Sequence, residues 1–252
     1  ERDGDIATVI LNRPDKLNAF TKAMWARLGE AVEELSADTQ LRCIVMRGAG
    51  DRAFSPGNDI SEFADERSNS IQAEAYGKFM NTTIEALRAC SIPKVAMIMG
   101  VCVGGGLEVA GLCDIRICGE SSRFGAPVSK LGLVMGYQEI GALKDLVGAS
   151  GALEILLEGR IIDAPEALRK GIVSRVVADD EVEAEAMATA RRIADGAPLV
   201  HRWHRKFLAR LADPKPLSDE EVKEAYACYD TEDFKTGYQA FLDKKKPDFK
   251  GR

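Results

Sequence analysis

Between Lys94 and Asp114 the chain reads KVAMIMGVCVGGGLEVAGLCD, a stretch that only a few arrangements can satisfy. An apolar run suited to a buried strand ends in three consecutive glycines, Gly104, Gly105 and Gly106, and resumes with helical spacing. Glu108 is the only charged residue between Lys94 and Asp114. A lone carboxylate in apolar surroundings is costly to ionise, so its pKa rises toward the working range of a general acid or base. Glycines let a ligand approach the backbone, and the first turn of a helix leaves N–H groups free to meet a developing negative charge. Strand, glycine turn and carboxylate together point to an oxyanion site beside an acid/base. The apolar run is long enough to suggest a membrane span, but three glycines and Glu108 at its middle split it into strand and short helix. The expectation is a soluble protein with no membrane partner.

The rest of the chain supplies a frame for that unit. Ile6–Leu11 reads as a buried strand with Asn12–Asp15 as its turn, followed by a helix with Met24, Leu28, Ala31, Val32 and Leu35 as its stripe. A second strand starts at Cys43 and leads to Phe54-Ser55-Pro56-Gly57-Asn58-Asp59. From Ile60 to about Ser70 the sequence is polar and aperiodic, which predicts a mobile loop over a site. A helix over Ile71–Ala89, the central strand and helix, and a strand at Ile115–Cys118 follow. This alternation predicts an α/β core. Downstream, helices dominate: Ile140–Val147 stops at Gly148, Ser150 caps Ala152–Leu157, Asp163 caps a short helix, and Asp179 or Asp180 caps the next. The division expected is a core over 1–196 and a charged helical region over 197–252, which packs on the core or on another subunit.

A net charge of −6 argues against nucleic acid as a partner, because neutralising phosphates requires a basic surface. The six cysteines form no CxxC pair, and most sit in apolar runs, as expected of reduced thiols in a cytoplasmic protein. Only two histidines occur, His201 and His204; flanked by Arg202 and Arg205 they read as a solvated basic face, and no metal site is expected.

Six segments in order resemble the enoyl-CoA hydratase/isomerase (crotonase) family: Ile6–Ala19, Ala53–Phe63, Gly100–Ile117, Arg123–Gly136, Leu157–Val177 and Thr231–Arg252. The resemblance implies an α/β, crotonase-like spiral of β-β-α units with a C-terminal helical region used for oligomerisation, as a homotrimer or a dimer of trimers. It implies an enzyme acting on an acyl-CoA substrate, with coenzyme A part of the thioester and no separate cofactor. The thioester enolate is stabilised in such enzymes by two backbone N–H groups, which match Asn58 and Gly105 here. Glu108 matches the catalytic acid/base. Lys16, Leu17, Ala19, Gly57, Asp59 and Ile60 match segments that lie along CoA, and Phe241 and Lys250 match groups that approach the CoA of a neighbouring subunit.

Two departures bear on the chemistry. Asn58 stands where the family usually has Ala; its polar side chain is expected to enter the pocket and favour a polar acyl group. Hydratases of the family carry a second Glu in an FGxPE segment, which here is Phe124-Gly125-Ala126-Pro127-Val128, so that position is a valine. Tyr137 and Glu139, where the family often has a PGxGG turn, offer a replacement acid/base from a different backbone position. The competing reading is that Glu139 opens the following helix. For Glu108 the competing reading is a structural carboxylate satisfied by backbone N–H groups. The expected function is hydration or isomerisation of an enoyl-CoA with Glu108 as acid/base. The alternatives are another family reaction (decarboxylation, hydrolysis) on a polar acyl-CoA, or a catalytically silent CoA-binding protein.

Overall fold

A computed structural model describes all residues, 1–252. The strands are β1 (Arg2–Asp3), β2 (Ile6–Leu11), β3 (Cys43–Gly48), β4 (Ala53–Ser55), β5 (Lys94–Ile98), β6 (Val101–Val103), β7 (Ile115–Gly119), β8 (Arg123–Gly125), β9 (Ile162–Asp163) and β10 (Arg175–Val177). The helices within the first two thirds are α1 (Lys22–Ser36), α2 (Phe63–Glu66), α3 (Ser70–Ala89), α4 (Gly105–Gly111) and α5 (Tyr137–Glu158). Then come α6 (Ala164–Arg169), α7 (Val182–Ala194), α8 (Pro198–Leu211), α9 (Asp219–Glu224) and α10 (Glu232–Leu242).

The strands form a six-stranded sheet, β1-β2-β3-β5-β7-β10, and a four-stranded sheet, β4-β6-β8-β9. Three successive units, β3-β4-α3, β5-β6-α4 and β7-β8-α5, each give one strand to each sheet. Within both sheets these neighbours pair in parallel. The chain therefore advances by one strand in each sheet per unit, which is a β-β-α spiral.

Both faces of the larger sheet are covered, which is why its strands read as continuous apolar runs rather than alternating ones. Cys43, Val45, Val95, Met97 and Ile117 pack against Val182, Ala186, Ala190 and Ala194 of α7. Ile44, Met46, Ala96 and Ile98 face the other way, into a core shared with Phe54, Cys102 and Phe124 of the smaller sheet and with α1 and α3. All six cysteines are free, and only Cys228 is not fully buried. No helix is long and apolar enough to cross a membrane.

Several local expectations change. The segment after Ile60 carries a 3₁₀ turn at Ile60–Glu62 and then α2, capped by Asp59 accepting from Ser61 N–H. Strand β6 was hidden by the glycines at both its ends. Helix α5 runs on through Gly148, whose φ of 73° lets two helical pieces join across a kink. The α1 stripe centres on Trp25, Leu28, Gly29 and Val32 rather than on Met24. Asp163 does cap α6, accepting from Glu166 N–H. Asp179 instead accepts from Ser121 N–H and so ties the start of α7 to the sheet edge.

The basic face of α8 leaves His204 exposed, as expected, but the rest of it is a docking face. His201 Nε2 lies 3.1 Å from the Ile193 carbonyl, Arg205 pairs with Asp114 and donates to the Cys90 carbonyl, and Arg202 reaches the carbonyls of Thr39 and Leu41. Long cationic side chains can satisfy carbonyls at the core surface while their stems cover apolar groups, a use that composition alone does not reveal.

Candidate active site

Three strands of the smaller sheet end side by side. β4 leads into Pro56-Gly57-Asn58, β6 into Gly104-Gly105, and β8 into Ala126-Pro127-Val128, with Val103 paired to Gly125. Gly104 N–H donates to the Gly125 carbonyl at 2.9 Å and holds the second and third ends together. Asn58, Gly105 and Val128 thereby line one cavity of about 280 Å³.

Close approach explains the glycines. A Cβ on Gly105 would lie 2.9 Å from the Trp25 ring, and one on Gly106 would lie 2.2 Å from the Ser55 carbonyl oxygen. A Cβ on Gly57 would lie 2.9 Å from Gly105 N, so the two loops touch directly. The neighbours of the Asn58 amide are committed: Phe20 N–H donates to the Gly57 carbonyl, and Asp59 N–H donates to the Phe20 carbonyl, both at 2.8 Å. Asn58 N–H itself has no acceptor in the protein. Gly105 N–H opens α4, where helix geometry supplies no acceptor. Two N–H groups without acceptors thus belong to touching loops that line the same cavity.

The Asn58 side chain does not enter it as the sequence suggested. Its Oδ1 accepts from Trp25 Nε1 at 2.6 Å, and its Nδ2 lies 3.8 Å from Met80 Sδ. Trp25 is fully buried, stacks on Phe20 with centroids 4.3 Å apart, touches Gly105, and is held through its carbonyl by Thr83 Oγ1 at 2.6 Å. It thus braces both loops, a role that sequence reading missed because the partner lies 33 residues away. Trp25→Phe keeps an aromatic ring but removes the donor and part of the buried indole. It is expected to lower stability by about 1–3 kcal/mol, the cost of a buried unpaired acceptor, as seen in thermal melts. Turnover should fall roughly tenfold through misplacement of the loops; unchanged melting and turnover would show that the brace has no function.

Glu108 is only 5% exposed, and neither carboxylate oxygen has a hydrogen-bond partner. The reading of a structural carboxylate satisfied by backbone donors therefore fails. Such an orphan in a native fold requires a reason, and chemistry is one. Burial, and then the charge of Glu139, push the Glu108 pKa well above the ordinary carboxylate range. Glu108 and Glu139 both line a narrow void of about 10 Å³ together with Leu107, Ala126, Met135 and Leu143. Glu139 also lines the larger cavity. Burial raises its pKa too, offset by the Gly136 N–H that it accepts and by the Arg67 charge. The two readings of Glu139 are thus compatible: one oxygen caps α5 while the carboxylate faces Glu108. Tyr137 is 97% exposed and lines neither space.

Among the residues matched to CoA segments, Gly57 and Ile60 line the cavity. Asp59 is tied to Ser61 and to Arg13 Nη1 at 2.6 Å, contacts that hold its carboxyl down to about 2. Arg13 also donates to the Ala19 carbonyl, which joins the Lys16-Leu17-Ala19 turn to Asp59. Lys16 is exposed, Leu17 half-buried and Ala19 buried, all outside the cavity wall. Phe241 is exposed, and Lys250 pairs with Asp248; neither reaches the cavity within one chain.

The comparison that decides the family is a match of residues 1–252 to enoyl-CoA hydratase/isomerase proteins. The chain belongs to the enoyl-CoA hydratase/isomerase family. It is 32% identical to a short-chain-enoyl-CoA hydratase of Clostridium acetobutylicum over all of this chain and 97% of that protein. It is 31% identical to a crotonyl-CoA hydratase of Syntrophomonas wolfei, over 99% and 96% of the two chains. A crystal structure of an enoyl-CoA hydratase/carnithine racemase from Magnetospirillum magneticum superposes with a TM-score of 0.98 at 50% identity, covering all of this chain and 94% of that one. The spiral of β-β-α units is therefore the crotonase fold, and the chain is an enzyme of the enoyl-CoA hydratase/isomerase type.

Proposed function

We propose that this enzyme hydrates an enoyl-CoA thioester with two carboxylates, Glu108 and Glu139, and with the N–H groups of Asn58 and Gly105 as its oxyanion donors. The observation that carries this reading is that both carboxylates line one buried void beside a cavity whose wall holds two N–H groups on touching loops. Val128 removes the family's usual second acid, and Glu139 brings a carboxylate to the site from the start of α5.

In the resting pair one proton sits on Glu108, which has no hydrogen bond to stabilise its charge. Glu139 stays ionised, helped by Gly136 N–H and by the Arg67 charge. Glu139 takes a proton from water as the water oxygen bonds to Cβ. The π electrons move to the thioester oxygen, where Asn58 and Gly105 donate to the enolate. Glu108 then gives its proton to Cα, and proton exchange between the two carboxyl groups restores the starting state. Donors held in place before the reaction stabilise charge that exists only in the transition state.

A second reading is favoured by Val128: with Glu108 alone, a 1,3-proton shift from a 3-enoyl to a 2-enoyl thioester needs no second acid. Crotonyl-CoA hydration, followed by loss of the conjugated thioester's ultraviolet absorbance, and 3-enoyl-CoA isomerisation should be assayed side by side. Hydration is expected to dominate; isomerisation without hydration would replace the two-carboxylate reading. The Asn58 side chain gives no support to selection of a polar acyl group, because Trp25 holds it.

The division at 1–196 and 197–252 is retained as a proposal, with the second region forming a homotrimer or a dimer of trimers. Leu208, Leu211, Tyr238, Phe241 and Leu242 leave its helices with exposed apolar groups that a second copy would cover. Light scattering is expected to give a multiple of three chains; a monomer would remove the proposal. Coenzyme A enters as part of the substrate, and the buried thiols suit a cytoplasmic location.

A further inference from the structure

Arg67 lies just past the C-terminal end of α2 and lines the same cavity as Asn58, Gly105 and Glu139. Its guanidinium carbon sits 4.7 Å from the Phe63 ring centroid and 4.9 Å from that of Tyr76. Contact with two rings steadies the guanidinium, and its in-plane N–H groups are what it can offer a ligand. They are uncommitted: the Arg67 side chain makes no hydrogen bond and no ion pair. The carboxylates nearest in sequence are turned elsewhere. Glu62 accepts from Lys22 N–H at 2.9 Å and Tyr76 Oη at 3.3 Å, and Glu66 pairs with Lys22 Nζ at 2.7 Å. Glu139, the one carboxylate on the cavity wall, accepts from Gly136 N–H. Around Arg67 the wall carries the apolar groups Ile60, Phe63, Val128, Leu131 and Met135; the other cation on it, Lys130, is exposed and stacks on no ring.

A half-buried, stacked cation with no hydrogen bond or ion pair, whose charge is felt on the wall by Glu139 alone, is a recognition element with its N–H groups free beside the oxyanion donors. We propose that Arg67 binds an anionic group at the far end of the acyl chain, so that the preferred substrates are CoA thioesters of dicarboxylic acids. A carboxylate is the planar two-oxygen acceptor that fits a guanidinium edge. The inference rests on the acyl-CoA reading of the site. It also moves the selection of a polar acyl group from Asn58, where the sequence placed it, to Arg67.

The test compares glutaryl-CoA with pentanoyl-CoA, saturated thioesters of equal chain length that no hydratase can turn over. Isothermal titration of the full chain is expected to show glutaryl-CoA binding tighter by roughly tenfold or more. Arg67→Met, which keeps a stem for stacking, should abolish that preference, and Arg67→Lys should retain part of it. Circular dichroism of both variants establishes that they are folded. Equal affinities in the wild type, or a preference that survives in Arg67→Met, overturns the proposal. A parallel loss of both thioesters in Arg67→Met also overturns it, since the guanidinium would then be holding the CoA portion they share. If neither thioester binds the wild type, the acyl-CoA reading fails and the inference falls with it; if pentanoyl-CoA binds equally well, only the Arg67 inference falls.

Discussion

Replacing Glu108 by Gln is expected to lower kcat for hydration by roughly 10²-fold or more, the range for removing a general acid/base, while raising Tm at neutral pH. The two effects have one cause. In the fold the carboxyl is buried with no partner, and its pKa lies well above the ordinary value. A glutamate whose folded pKa exceeds its unfolded value of about 4.3 contributes most to stability below that pH. Its contribution is lost progressively as pH rises to the folded pKa. At neutral pH the wild type therefore bears the cost of either protonating or charging Glu108, and the neutral amide does not. Melting curves against pH check the sign: the gap between Glu108→Gln and wild type should widen from acid toward neutral pH. Wild-type turnover in the variant would remove Glu108 from the chemistry.

Glu139→Gln is expected to cost a similar factor, roughly 10²-fold, even though the Gln amide oxygen can still accept from Gly136 N–H and keep the cap on α5. The substitution thus separates capping from catalysis: a purely structural Glu139 would leave the rate nearly unchanged. The pH profile adds a second readout. Because burial raises the Glu139 pKa, its protonation as pH falls removes the base above the ordinary glutamate range. The acid limb of kcat/KM in the wild type should accordingly lie above about 4.3 and should move in Glu139→Gln.

The glycine turn, Glu108 and the α/β core were legible in the sequence because each is local or is carried by strongly patterned runs, whereas the spiral was implied only by the family resemblance. Three glycines before a helical stripe leave little choice, and parallel strands covered on both faces show as unbroken apolar stretches. What was not legible depends on partners far along the chain. Asn58 looked like a polar group for the pocket, but its direction is set by Trp25 on α1. Glu139 looked like either a cap or an acid, and a carboxylate has two oxygens, enough to do both. Arg67 gave no signal, since its segment has no periodicity and its setting comes from Phe63 nearby and Tyr76 on the next helix. The face of α8 looked solvated because charge reads as exposure, whereas here Arg202 and Arg205 reach backbone carbonyls.

The repeating unit of the fold has a consequence for how such an enzyme can diverge. Asn58, Gly105 and Val128 occupy the same station on three successive turns, each just past a strand of the smaller sheet. In the proposed mechanism the first two stations act through main-chain groups, which survive nearly any side-chain change, so stabilisation of the enolate can be inherited intact. The third station presents only a side chain and is free to be rewritten. In this chain it is a valine, and the acid that we propose takes over stands eleven residues later at the mouth of the next helix. New proton-transfer geometries can therefore be tried on the last turn without disturbing the proposed anion-holding pair on the other two.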